Sequence, residues 1–166
     1  MIFRHGFVSN SSSCSYVVID KRDLITPDLS EVGDEYLDSK GRLLVPTRLG
    51  ETEFGWAGDY YDIYSRINFV LAQIACMWED GQYNMKYRKL ADKWWRTFRF
   101  VCEENGLPIA ENPDFDLRKQ NHDYVYIDHQ SSAKEGANTE IFEDDRTLSH
   151  FIFGKKSAIH CDNDNK

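Results

Sequence analysis

Residues 59–104 read DYYDIYSRINFVLAQIACMWEDGQYNMKYRKLADKWWRTFRFVCEE, and this stretch decides the fold. Ile63, Ile67, Val70, Leu71, Ile74 and Met77 recur at helical spacing, with Ala75 and Trp78 at the edge of the stripe. Asp59 is placed to cap the start, because a carboxylate accepts hydrogen bonds from first-turn amides and suits the positive end of the helix dipole. Gly81 ends the run as a left-handed closing residue. Tyr83, Tyr87, Leu90, Trp94, Phe98 and Val101 form a second stripe, stopped by Gly106 and Pro108. The spacing predicts two antiparallel helices within residues 59–104, joined at Gly81.

The second helix also carries charge. Lys86, Lys89, Lys93 and Arg96 share one face, rotated away from the apolar stripe, with Arg88, Arg99 and Trp95 beside them. Residues 82–100 hold six basic side chains against one acidic, Asp92, so the segment is +5 in a chain of −8 and the remainder is −13. A ridge of this kind suits phosphates or an acidic protein surface, with Trp95 available as an anchor. The alternative is a solvated face folded back on the protein's own carboxylates.

Working outward, the chain of 166 residues has the size of one domain. Hydrophobic content of 41% and aromatic content of 14% are those of a globular protein, not a disordered one. A net charge of −8 argues against general nucleic-acid binding as the main task, although the basic helix face leaves a nucleic-acid contact open. Cys14, Cys76, Cys102 and Cys161 lie far apart without paired spacing. The opening residues lack the apolar run of a signal peptide, and no stretch approaches a membrane span. These features predict a reduced, cytoplasmic protein with no membrane contact.

Outside the hairpin the chain is β-like. Segments near 15–20, 42–46, 123–129 and 157–161 read as strands, the second ending at Pro46 as a sheet-edge strand would. Phe54-Gly55-Trp56 is expected at the mouth of the hairpin. Asp144 or Asp145 can cap a short helix through Leu148, Phe151 and Ile152 that Gly154 ends. The expected architecture is a single α+β domain over residues 1–166, a small, mostly antiparallel sheet covered by the long helical hairpin.

Two polar clusters could carry chemistry. Ser9, Asn10, Ser11, Ser12 and Ser13 precede a strand and offer hydroxyls and amides to a phosphate, without the Gly and Lys pattern of a phosphate loop. Asp128 and His129 end one predicted strand, and His160, Asp162 and Asp164 end another. If those strands were neighbours, mixed carboxylate and imidazole ligands would suit a divalent metal such as Mg²⁺ or Mn²⁺. No fixed metal spacing is present, and the same residues serve equally as turn caps and satisfied side chains, so no cofactor is expected.

The run Gly6-Phe7-Val8-Ser9-Asn10-Ser11-Ser12-Ser13-Cys14-Ser15-Tyr16 resembles the N-terminal GFVSNSSSSSF signature of a family of small bacteriophage and bacterial proteins. Phe54-Gly55-Trp56, Ile127-Asp128-His129-Gln130-Ser131 and Asp162-Asn163-Asp164-Asn165 are similar to further pieces of that family, and Cys14 stands where its pattern has serine. The resemblance implies a phage or prophage origin and brings no activity with it. Two functions follow as expectations. The first is a cytoplasmic interaction protein that binds and modulates or inhibits a host or phage protein through Lys86, Lys89, Lys93, Trp95 and Arg96. The second is a small metal-dependent hydrolase of a nucleotide or nucleic-acid phosphoester.

Overall fold

Helix α1 (Ile63–Asp80) is the element around which the rest packs. Every residue from Arg66 to Trp78 is buried, so the helix has no solvent face over those three turns. This is the burial pattern of a helix covered on all sides. The structure, a computed structural model, describes residues 2–6, 16–22, 24–45, 58–81, 84–110, 126–128, 131–132 and 139–161. Helix α2 (Met85–Glu104) returns antiparallel to α1, and its buried side is Ala91, Trp94, Phe98, Val101 and Cys102. Helix α3 (Asp145–Phe153) packs against both.

The main sheet has four strands, β1 (Ile2–Gly6), β2 (Tyr16–Asp20), β3 (Gly58–Tyr60) and β6 (Ala158–Cys161), in the order β1-β2-β6-β3. Every pair is antiparallel. In register, Val17 faces Ile159, which faces Tyr60 across the next strand, and this row points into the core. The alternate row, with Asp59 opposite His160, faces outward, as the two-residue period of a strand requires. Helix α3 lies against β2 and joins the sheet to the hairpin. The result is the expected α+β architecture of a small antiparallel sheet and a long helical hairpin.

The sheet's membership differs from the sequence reading. Strands near 15–20 and 157–161 are present, but the other two members are β1 and β3. Among the described residues the run at 42–46 forms only single bridges, from Leu43 to Leu37 and to Ile109. Its backbone is already used: the Leu43 amide donates to the Pro108 carbonyl and the Leu43 carbonyl accepts from Ala110, each at 2.9 Å. Within residues 123–129 the strand is β4 (Tyr126–Asp128), which pairs with β5 (Ser131–Ser132) in a separate two-stranded ribbon. A partner a few residues away is reached with less loop-closure entropy than a distant strand.

Local signals at the helix ends are partly relocated. Asp59 lies in β3 and does not cap α1. Asp62 does, accepting from the Ser65 amide at 2.7 Å. Gly81 closes α1 without a left-handed backbone. Its reason is a close approach: a β-carbon there would sit 2.8 Å from the Arg88 backbone of α2. At the end of α2, Gly106 does adopt φ 79°. Leu107 N–H returns to Cys102 O at 2.9 Å and Gly106 N–H to Glu103 O at 3.1 Å, the paired bonds of a glycine-terminated helix. Asp144 caps α3, accepting from Thr147 N–H at 2.6 Å, and these bonds hold its carboxyl below the usual aspartate range.

Candidate interaction surface on the second helix

Helix α2 begins at Asn84, whose side-chain oxygen accepts from the Lys86 amide at 3.0 Å. Its buried stripe points at α1 and α3, and Trp94 stacks on Phe142 with ring centroids 4.1 Å apart. The opposite side is open. Lys86, Arg88, Lys89, Lys93, Arg96 and Arg99 are all exposed. None of the six forms an ion pair among the described residues, so the ridge is not folded back on the protein's own carboxylates there.

The one carboxylate in the segment is occupied elsewhere. Asp92 accepts the Trp78 indole N–H at 2.8 Å and so ties α2 to α1. Trp95, expected as an exposed anchor, is half-buried against Trp78 and Phe98, each ring centroid 5.8 Å away. The aromatic that the ridge does present is Phe100, 50% exposed, one helical turn beyond Arg96. Met85, 62% exposed, stands at the start of the helix near Lys86 and Lys89. The surface is therefore a basic stripe with an apolar side chain toward each end. The signal for Phe100 was in the spacing: it falls seven residues after Lys93 and four after Arg96, in line with the cations and off the apolar stripe.

The other candidate residues do not assemble into a described site. Ser9, Asn10, Ser11, Ser12 and Ser13 lie outside the described residues, within the connection between β1 and β2. Phe54-Gly55-Trp56, His129, Asp162 and Asp164 also lie outside them. Asp128 belongs to the β4–β5 ribbon, whereas β6, which carries His160, is flanked by β2 and β3, so the two strand ends are not sheet neighbours. His160 instead hydrogen-bonds through Nδ1 to Asp59, its cross-strand partner, and the Tyr61 hydroxyl donates to the other Asp59 oxygen at 3.0 Å. Among the described residues no three His, Cys, Asp or Glu side chains come together as a metal site.

Further ionisable groups are internal. Arg66 is buried in α1 and donates to the Phe151 and Gly154 carbonyls at the end of α3, at 3.0 and 2.5 Å. Burial pulls its pKa down to about 10, which leaves it a cation near neutral pH, facing the negative end of the α3 dipole. Cys76 and Cys102 are buried, and burial pushes the Cys102 thiol well above the usual thiol range, which makes it inert as a nucleophile. Among the described residues no helix is long and apolar enough to cross a membrane. Comparison with family models, with curated proteins and with solved structures finds no match.

Proposed function

We propose that this chain is an interaction protein that binds and modulates another protein through the exposed face of α2. The observation that carries the reading is the set of exposed cations on α2, unpaired among the described residues, with Phe100 exposed in line with them. A surface that combines a basic stripe with a large apolar side chain supplies both steering and a desolvated anchor. The remaining charge of −13 repels a long polyanion, which favours a compact acidic partner over a nucleic acid. The setting, a phage-encoded factor acting in the host cytoplasm on a host or phage protein, rests on the N-terminal resemblance.

Tagged protein is incubated with host-cell lysate beside the double variant Lys89→Glu/Arg96→Glu, and the retained proteins are compared. The reading expects a partner held by the wild type and lost by the variant, with an unchanged unfolding midpoint. Equal retention of the same partner by both would remove this face from the function.

A further inference from the structure

Lys86, Lys89, Lys93, Arg96, Phe100 and Glu103 follow one another along α2 at alternating intervals of three and four residues, and all six are exposed. That alternation marks the stripe of a helix along which a second helix lies in a two-helix coil. At a rise of about 1.5 Å per residue it covers about 25 Å, with cations over the first 15 Å or so, then an aromatic ring, then a carboxylate. The buried stripe of α2 is already filled by α1 and α3, so this is a second, independent seam.

The charge order on the seam does not serve the helix itself. There is no acidic side chain in the first turn of α2 and no basic one in the last, where Glu103 and Glu104 stand instead. Cations at the positive end and carboxylates at the negative end both oppose the helix dipole. A second copy of the chain fills the seam poorly. Antiparallel docking pairs Lys86 with the second copy's Glu103 and Lys89 with its Phe100, but it sets Lys93 against Arg96 at the centre and so leaves no net attraction between the charges, and parallel docking sets each charge on its like. A continuous polyanion fits poorly too, since its charge would run past Phe100 onto Glu103 and Glu104.

We propose that this seam docks an acidic α-helix of a protein partner, with carboxylates facing Lys86, Lys89, Lys93 and Arg96 and an apolar side chain against Phe100. The inference rests on the protein-binding reading above and names the chemistry of the partner. Only an α-helix repeats its side chains at the intervals the seam presents, and only an acidic one cancels its charge.

The test uses a fluorescein-labelled synthetic peptide of about 20 residues, long enough to span the seam. It is alanine-rich, with Glu at four successive three-and-four positions, Leu at the fifth and Lys at the sixth. A scrambled peptide of equal composition and a single-stranded oligonucleotide of matching length are the comparisons. Anisotropy at about 0.15 M ionic strength should show the seam peptide binding, weakened about tenfold or more by Lys93→Glu/Arg96→Glu and several-fold by Phe100→Ala. The scrambled peptide and the oligonucleotide should bind more weakly than the seam peptide.

Equal binding of the scrambled peptide, or tighter binding of the oligonucleotide, overturns the inference. So does a seam peptide that does not bind. If lysate capture remains sensitive to Lys89→Glu/Arg96→Glu in that case, only the acidic-helix inference falls. If capture is insensitive as well, the protein-binding reading falls with it.

Discussion

The two halves of the hairpin look alike in sequence and differ in the folded chain. Both carry one apolar stripe at helical spacing, and they are close in length. Yet α1 is buried throughout its middle, with Arg66, Asn68 and Gln73 inside, while α2 keeps its cations in water. The difference lies in what covers the back of each helix. Against α1 lie α2, α3 and the turn of 3-10 helix Leu29–Val32. The back of α2 is covered by no described element, so its charges were never obliged to find partners. A polar side chain drawn inside costs stability unless it finds a partner, and Arg66 finds the carbonyls that close α3.

That contrast can be broken first at Arg66. Arg66→Ala opens a cavity, leaves the buried Phe151 carbonyl without its Arg66 donor and leaves the Gly154 carbonyl with the Ser157 amide alone, so a loss of about 3–5 kcal/mol is expected in urea unfolding. A loss below about 1 kcal/mol would mean that the cost of burying the guanidinium had cancelled its bonds. The next effect lies where the helices meet. Gly81→Ala forces a β-carbon onto the Arg88 backbone and should cost about 1–3 kcal/mol. Gly106→Ala meets only Leu29, at 3.8 Å, so its cost is the left-handed backbone alone, about 1 kcal/mol. Gly106→Asn should recover part of that loss, since asparagine tolerates the conformation, whereas Gly81→Asn should recover nothing.

An effect between those of Gly81→Ala and Gly106→Ala is expected at Asp92, the residue that links the inner helix to the outer one. Asp92→Ala strips the Trp78 indole N–H of its acceptor and should cost about 1–2 kcal/mol. It also raises the positive charge of the segment, so binding of an acidic probe should hold or improve while stability falls. A variant that lost both together would show that Asp92 shapes the surface and does more than brace it.

How far these features could be read in advance depends on the range of the forces behind them. Helices α1, α2 and α3, the Asp144 cap and the Gly106 stop are local, set within a few residues, and the spacing showed them. Strand β3 exists through pairing with β6, about 100 residues away, and β1 through pairing with the neighbouring β2, and neither IFRHG nor GDY carries an alternating apolar pattern of its own. Tyr126 sat in a β-like run that found a closer partner, and Leu43 in one whose backbone bonds went to Pro108 and Ala110. On the surface, the cations were legible because α2 repeats them at three and four. Trp95 was not, since its half-burial depends on Trp78 of the facing helix.

The smallest effect bears most directly on why the outer helix is built as it is. Lys86 stands in the first turn of α2, where the unsatisfied amides present positive charge, and its side chain pairs with nothing among the described residues. Lys86→Glu turns a repulsion into an attraction and places an acid three residues before Lys89. The variant should therefore be more stable than the wild type, by about 0.3–1 kcal/mol at low ionic strength. The same change should weaken binding of an acidic helical probe. A variant that gains stability and loses binding shows that the cation is kept at the cost of the helix, as a docking surface requires. A variant that loses stability would mean that Lys86 has a structural partner, and the outer face would then resemble the inner one more than its exposure suggests.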